Sequence, residues 1–580
     1  MLFITVVPAI RTVPGVERFD YLIDEKSSIA LGDIIQVTFR KKTIPALVVD
    51  IKSDSLFKDK IIKLESSDPV LCLGEKTIKL LENTARHVFV SEPTILHSWI
   101  RHLPKRRQIP STKSAVNSTK QLSFNPERST RYLVDRLNGD FGLLNEASRQ
   151  KGRSLIITPW QHGAKCISER LECPLLTAET PAGQAWKNIS RFVKGDIKTL
   201  VATRLGAWLS IIADCVLLDE PENDDFKQDE LSPRFDARWI IQTSESLRPE
   251  LPIISFSTTP ILQNSFDNLV IPEITVHLKL ENIKSNIKSE IDAITPETLR
   301  SIDESLQTNI PTIILHPIKG LRSGLICRDC GWRAVCASCG YQLGMTASLA
   351  CCKKCGLKTD LTSICPNCGG ADLSRGGTGK DRIMGQLQKY TQNAALKIVD
   401  ISEFNSLNFP KSGHLVITDL SLIGGMTEDI RRRERLIINW RRLAAKVFNA
   451  DGKITVQGSD EILEDCRSWL TVDGLKNAWQ QELKERKAFG YPPASYLIKI
   501  IITGNQESAE QIKQKLSSKL IPGIEIRGPY PVAFRPKNST ERHILHLVAP
   551  LALDLKKIEA VLNELKKQAI IDLDPIAFFC

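Results

Sequence analysis

Apolar positions along the chain change their period several times. Residues 3–7, 34–39 and 44–49 are β-branched, apolar runs separated by polar turns, which predicts strands. Residues 77–89 then place Ile78, Leu80, Leu81 and Val88 at helical spacing, predicting one apolar helix face. From about residue 129 to 316 the pattern becomes short buried runs at 154–158, 199–202, 215–218, 253–255 and 312–315, with polar or helical segments between them. Such alternation predicts a mostly parallel sheet in an α/β layer. Residues 101–131 interrupt the pattern: eight Lys and Arg stand against Glu127 alone, amid Ser, Thr, Asn, Gln and three prolines. That composition cannot bury enough apolar surface to fold alone and reads as a basic linker, which can also track phosphates.

A chain of 580 residues divides into several domains, and 42% hydrophobic residues is enough to build their cores. The net charge of +11 is modest for this length and selects no partner by itself. No uninterrupted apolar run reaches about eighteen residues, so no membrane span is expected.

Cysteines change the picture most. Four Cys-x-x-Cys pairs fall within one short stretch: Cys327/Cys330, Cys336/Cys339, Cys352/Cys355 and Cys365/Cys368. Two intervening residues turn the backbone so that both thiolates face one point, and glycines (Gly331, Gly340, Gly356, Gly369) follow each pair. Two pairs complete a four-sulfur zinc site, so eight ligands predict two Zn2+ ions. Cys351 abuts Cys352, but only Cys352 keeps the two-residue spacing to Cys355. A disulfide framework belongs to small secreted chains, and an iron–sulfur site uses an uneven run of four cysteines. Spacing alone permits sequential or interleaved pairing. Cys72, Cys166, Cys173, Cys215, Cys466 and Cys580 are scattered and read as ordinary buried thiols.

The run at 215–218 is followed by Asp219-Glu220-Pro221-Glu222. Two acids at the carboxyl end of a buried strand hold Mg2+ in a nucleotide-driven motor. A matching phosphate loop needs glycines, then Lys and Ser or Thr. In its expected place stands Asn125-Pro126-Glu127-Arg128-Ser129-Thr130-Arg131, with no glycine and no lysine. Gly377-Thr378-Gly379-Lys380 lacks both the spacing and a preceding strand.

Several segments together resemble the PriA family of bacterial replication-restart helicases, also called primosomal protein N-prime. They are Cys327-Arg328-Asp329-Cys330-Gly331-Trp332 with the three later pairs, Gly377-Thr378-Gly379 with Arg382 and Leu387, and the run from Glu485 through Gly490-Tyr491-Pro492-Pro493. Ile571-Asp572-Leu573-Asp574-Pro575 and Arg18-Phe19-Asp20-Tyr21-Leu22 extend the resemblance over nearly the whole chain. Thr203-Arg204, Phe226-Lys227-Gln228, Pro233-Arg234-Phe235, Ala237-Arg238, Ser257-Thr258-Thr259-Pro260, Asp429-Ile430-Arg431 and Glu434-Arg435 echo family motifs. Departures lie in the motor. The acidic box has Pro221-Glu222 where the family has a Glu and then a His, and Trp440-Arg441-Arg442-Leu443-Ala444-Ala445-Lys446 stands in place of a glycine-flanked arginine-finger motif. The second lobe lacks a recognisable coupling segment between Val399 and His414. The chain is similar to a degenerate, actinobacterial-type member lacking intact helicase motifs.

The resemblance implies an α/β multidomain fold. Residues 1–68 form a β-rich 3′-end DNA-binding domain, 69–104 a winged-helix-like segment and 105–128 the linker. Residues 129–320 and 376–470 form degenerate RecA-like helicase lobes around a double zinc module at 321–375, and 471–580 an α/β C-terminal domain. It implies zinc pairing of Cys327, Cys330, Cys365 and Cys368 for one ion, and Cys336, Cys339, Cys352 and Cys355 for the other. Phe19, Asp20 and Tyr21 would form the pocket for a DNA 3′ end, with Lys60 or Lys63 at the terminal phosphate. Arg431, Arg432, Arg433 and Arg435 would give one helix a basic face. The nucleotide site near Asn125, Ser129, Thr130, Asp219 and Glu220 is degenerate, so ATP and Mg2+ are not expected to turn over there and no catalytic residue is assigned. The implied function is fork or D-loop recognition and reloading of the replicative helicase without unwinding activity. Partners would be branched and single-stranded DNA and primosome and helicase-loading proteins, with no membrane. The implied state is a cytoplasmic, nucleoid-associated monomer within the restart primosome. An active ATP-driven 3′→5′ helicase and a zinc-ribbon adaptor without fork preference are the competing classes.

Overall fold

The computed structural model describes residues 2–11, 17–24, 27–55, 61–64, 69–100, 129–229, 231–262, 271–282, 294–316, 324–327, 329–330, 332, 334, 336, 343–345, 349–352, 357–360, 363–376, 383, 387, 395–424, 430–532, 541–554, 556–565 and 568–576. Two compact units result, residues 1–257 with 552–576, and residues 258–551.

In the first unit a six-stranded sheet runs in the order Ile62–Lys63, Phe19–Ile23, Leu2–Pro8, Lys42–Lys52, Asp33–Phe39, Leu71–Cys72. Side chains alternate across a strand, so each strand feeds two cores. Ile4, Val6, Ile35 and Val48 pack on one face with Tyr21. Val7, Ile34 and Leu47 pack on the other with Leu80, Leu81, Leu96 and Trp99. Those last four come from helices Lys76–His87 and Glu92–Ile100. The winged-helix-like segment expected from residue 69 is therefore not set apart among the described residues: strand Leu71–Cys72 and both helices complete the N-terminal sheet and its core. Residues 101–128, which include the basic linker, lie outside the described residues.

A second, parallel sheet follows, ordered Ser129–Tyr132, Ile253–Ser257, Cys215–Asp219, Ser154–Ile157, Thr199–Ala202, Leu175–Leu176. Its central strands are buried along their whole length, as a sheet covered on both faces requires. Helix Ala182–Lys194 stops at Gly195, whose φ of 80° closes the last turn. Helix Lys556–Leu565 and strand Ala569–Leu573 also belong to this unit. Asp572, fully buried, pairs there with Lys227 at 2.9 Å and Arg234 at 3.3 Å.

The second unit holds a five-stranded parallel sheet ordered His277–Asn282, Lys453–Gly458, His414–Ile417, Thr312–Leu315, Leu396–Val399. This corrects the placement of residues 312–315 in the first lobe. An apolar run of four residues states that it is buried, not in which sheet. Thr312–Leu315 and Leu396–Val399 are hydrogen-bonded neighbours, and the cysteine-rich stretch is inserted between them. It contains an antiparallel pair, Gly324–Cys327 with Leu373–Gly376, and a three-stranded meander of Gly344–Met345, Leu349–Cys351 and Lys358–Asp360. Beyond helix Val472–Phe489, strands Ser495–Thr503, Arg542–Pro550 and Glu525–Pro531 form antiparallel pairs, with helix Gln506–Lys519 packed on them.

Candidate nucleotide, metal and DNA-end sites

The first parallel sheet ends in a cluster of charge. Asp219, last residue of its strand, is buried and accepts a hydrogen bond from Thr158 Oγ1 at 3.0 Å. Glu220 follows with a left-handed φ of 51° and donates its amide to the Phe256 carbonyl at 2.8 Å. Arg136 reaches both acids: its Nε lies 2.8 Å from Asp219 Oδ1, and its Nη2 lies 2.5 Å from Glu220 Oε1. Burial still raises the Asp219 carboxyl above its ordinary value, against the pull of Arg136. Glu222 is buried beside them, and burial followed by the charge of Glu220 pushes it up to about 8. Three carboxyls thus share one guanidinium.

Ser129 and Thr130 do not lie in the connecting loop. They begin the strand Ser129–Tyr132, paired in parallel with residues 254–257, so that part of the nucleotide-site expectation is corrected. Thr and Tyr are good strand formers, but four residues of alternating character beside a polar linker carry a weak signal. Asn125 lies outside the described residues. The strand-to-helix connection is instead residues 133–142, ahead of helix Leu143–Arg149. A phosphate loop would aim its amides at the ligand. Here they are spent internally: Leu143 N donates to the Arg136 carbonyl at 2.8 Å, Leu144 N to Leu137 at 3.1 Å, and Gly142 N to Gly139 at 3.0 Å. Gly142 permits this folding-back, because a Cβ there would lie 2.4 Å from the Asn138 carbonyl oxygen. Arg131 holds the far side through Glu146 at 2.8 Å. Arg136 and Thr158 were missed from sequence; the signal available was a strand, a loop with two glycines and a helix one step after the linker.

The arginine-finger position is equally closed. Arg441 lies inside helix Arg432–Phe448, fully buried, and donates to the carbonyls of Trp469 at 2.7 Å, Pro272 at 2.8 Å and Thr258 at 3.2 Å. Burial alone pushes it down to about 10. The basic face expected of Arg431, Arg432, Arg433 and Arg435 is also corrected. All four are half-buried: Arg432 donates to the Ser421 carbonyl at 3.2 Å, and Arg433 bonds Gln481 at 3.2 Å. Charge pattern alone did not show that neighbouring elements cover that face.

In the cysteine-rich stretch the structure brings together Cys327, Cys330, Cys365 and Cys368, all four sulfurs within 4.8 Å of one another. Cys327 and Cys368 are 3.6 Å apart, and Cys330 and Cys365 3.7 Å. A tetrahedral zinc with Zn–S bonds of about 2.3 Å sets sulfurs roughly 3.8 Å apart, so this donor set fits the ion. Asn367 Nδ2 donates to Cys330 Sγ at 3.4 Å, and that bond above all holds the Cys330 thiol down at about 6. At Gly370 an added Cβ would lie 2.1 Å from Asp329 Oδ2 and 3.2 Å from Cys368 Sγ, so a side chain there would have to displace Asp329 beside the sulfurs. Cys336 and Cys352 are buried in one small core with Ala334, Leu343 and Ala350. Cys339 and Cys355 lie outside the described residues.

In the N-terminal sheet, Asp20 sits on the strand Phe19–Ile23. It accepts from Thr5 Oγ1 at 2.7 Å, Lys52 Nζ at 3.0 Å and Ser55 Oγ at 2.5 Å. Burial opposes its ionisation, but these three bonds win and hold the carboxyl below its ordinary value. Phe19 is half-buried, edge-on to Phe39 with centroids 4.8 Å apart. Tyr21 is a core residue whose hydroxyl donates to the Thr38 carbonyl at 2.9 Å, so its ring offers no stacking face. Lys63 is exposed on a strand hydrogen-bonded beside Tyr21 and Leu22, and Lys60 lies outside the described residues. Thr5, Lys52 and Ser55 were missed; they approach Asp20 from 15 to 35 residues away, and no local pattern marks them.

Comparisons with known proteins match both ends of the chain. A model of the 3′ DNA-binding domain matches residues 10–100, and one of the primosomal protein N C-terminal domain matches residues 487–576. The replication restart protein PriA of Thermotoga maritima is 23% identical over 81% of this chain and 69% of its own length. That of Rickettsia prowazekii is 21% identical over 97% of this chain and 98% of its own. That of Borreliella burgdorferi is 24% identical over 61% of this chain and 59% of its own. In its two matched ends and in the span between them, the chain is similar to the replication restart proteins named PriA.

Proposed function

We propose that this protein binds stalled forks or D-loops through the leading-strand 3′ end and helps reload the replicative helicase, without unwinding DNA itself. The observation that carries the reading is the match of residues 10–100 to a 3′ DNA-binding domain, on a sheet where Asp20 is held ionised and oriented. An ionised carboxylate near the surface accepts a hydrogen bond from a terminal 3′-hydroxyl, and Phe19 supplies an apolar edge for the last base. Absence of unwinding is supported by the connection 133–142, whose carbonyls take the first amides of the helix that follows, and by the burial of Arg441. Electrostatic stabilisation by those two parts supplies most of phosphoryl-transfer catalysis.

The zinc module is structural in this reading. Cys327, Cys330, Cys365 and Cys368 hold one ion, and Cys336, Cys339, Cys352 and Cys355 hold a second. Four-sulfur sites leave no coordination position open for water, so the ions fix a fold and supply no reaction. Partners are branched and single-stranded DNA and the proteins of the restart primosome, met as a monomer in the cytoplasm at the nucleoid. No helix among the described residues is long and apolar enough to cross a membrane.

Titration of purified protein with forked duplexes that carry or lack a free 3′-hydroxyl tests the central claim. Tighter binding to the former is expected, with no DNA-stimulated ATP hydrolysis. Equal binding to both forks sinks the 3′-end reading in favour of an adaptor. Turnover of about one per second, an ordinary enzyme rate, restores the helicase reading.

A further inference from the structure

Asp219 and Glu220 stand where a nucleotide-driven motor keeps its metal-holding acids, and this chain brings a cation of its own to them. Arg136 lies within bonding distance of both carboxylates, 2.8 Å from Asp219 Oδ1 and 2.5 Å from Glu220 Oε1. Its guanidinium keeps its charge at every relevant pH and presents donors in a planar fork that suits two carboxylates. A small divalent ion has opposite requirements: oxygens at about 2.1 Å converging in an octahedron with several waters. The donors that could form such a shell are already turned to other work. Thr158 donates its hydroxyl to Asp219 at 3.0 Å, and Asp219 and Glu220 face the guanidinium. The backbone supports the same arrangement. The Arg136 carbonyl takes the Leu143 amide, and Leu137 takes that of Leu144, so the residue that supplies the charge also ties the loop to its helix.

We infer that Arg136 is a built-in substitute for the divalent cation, so that residues 133–142 keep one closed arrangement whatever the concentration of Mg2+ or nucleotide. The inference rests on reading the first lobe as the relative of a nucleotide motor. An ion that exchanges lets a lobe change state with its ligand, since a ligand shifts an equilibrium only through its differential affinity for the two states. A cation tethered to the chain removes that lever. The lobe then presents the same surface to DNA and to partner proteins at all times. The folded-back connection and the arginine thus serve one closed arrangement.

The experiment titrates Mn2+ into zinc-loaded full-length protein by calorimetry, for the wild type, Arg136→Ala, Arg136→Lys, Asp219→Asn and the double variant R136A/D219N. The wild type, R136K and D219N give the same trace. R136A gains one Mn2+ site, with affinity roughly tenfold or more above any wild-type uptake, and the double variant loses it. Wild-type uptake that D219N removes overturns the inference. So does a folded R136A, judged by circular dichroism, that gains no site. Should R136A not fold, the wild type and R136K against D219N still decide, because either of them taking up Mn2+ in excess of D219N refutes the substitution. Fork binding on the same preparations separates this from the functional reading. Wild-type Mn2+ uptake with 3′-end preference intact removes only the inference about Arg136. Loss of that preference with a Mn2+-blind wild type removes only the function.

Discussion

Asp20 is the residue on which DNA-end binding turns, and three neighbours prepare it. Lys52, Ser55 and Thr5 keep the carboxylate charged and fixed, so little rotamer freedom is lost when a hydroxyl arrives. Asp20→Ala is expected to abolish the preference for a fork with a free 3′-hydroxyl, while binding to duplex lacking that end stays within about twofold of wild type, about 0.4 kcal/mol. Fluorescence anisotropy with paired forks reads both. A second prediction concerns Glu222, raised to about 8 by burial and by Glu220. Its folded pKa lies above the unfolded value, so the folded state binds the extra proton. Stability from this group is complete below about pH 4.5 and is lost as pH rises toward 8, with a slope of at most about 1.4 kcal/mol per pH unit. Urea midpoints measured from pH 5 to 9 fall along that window in wild type, and Glu222→Gln flattens the fall. At this scale the sequence was partly legible. Asp219, Glu220 and the cysteine pairs announce themselves by spacing, whereas Arg136 and Lys52 act across the fold and leave no periodic trace. Tyr21 shows the opposite error, since an aromatic beside a charged residue suggests a binding face when the pleat points it inward.

Elements were easier to read than their partnerships. Apolar runs at 154–157, 199–202 and 215–218 lie in strands because parallel sheets bury both faces and write near-continuous hydrophobic sequence. Nothing in the run at 312–315 tells that it pairs with residues 396–399 across the cysteine-rich insertion. The same limit hid the role of helix Val472–Phe489. Its Arg486 is buried between Glu482 and Glu434, each at 2.9 Å, and also donates to the Pro492 carbonyl at 3.0 Å. Arg486→Ala leaves one buried and one partly buried carboxylate without their counter-charge and is expected to cost about 3 kcal/mol. Chemical denaturation gives that figure directly. The zinc module yields a further test. Cys330→Ser removes one ligand of a closed tetrahedron, and the expected result is loss of one ion per chain by elemental analysis, with the other ion retained. Loss of neither ion would mean that these sulfurs do not share a metal.

For the whole molecule, the first unit contains residues from both ends of the chain. Residues 552–576 return to it, and Asp572 is buried against Lys227 and Arg234. Asp572→Asn should therefore destabilise the N-terminal unit by about 3 kcal/mol, the usual cost of breaking a buried pair. Hydrogen exchange would show deprotection in the strands at 199–202 and 215–219, far away in sequence. The overall α/β plan and the order of its parts were legible because each part has its own hydrophobic period. The ion pairs of Asp572 with Lys227 and Arg234 were not, because no local pattern links residues so far apart in sequence.

That return has a consequence for how the protein is made. A ribosome releases residues in order, and the N-terminal unit waits for more than 290 intervening residues before its closing segment emerges. The cysteine-rich insertion and the second parallel sheet can be complete before the first unit is. During synthesis the ion pairs of Asp572 thus form last, and a prematurely terminated chain leaves Lys227 and Arg234 without that counter-charge, a defect that lowers stability and that quality-control proteases can exploit.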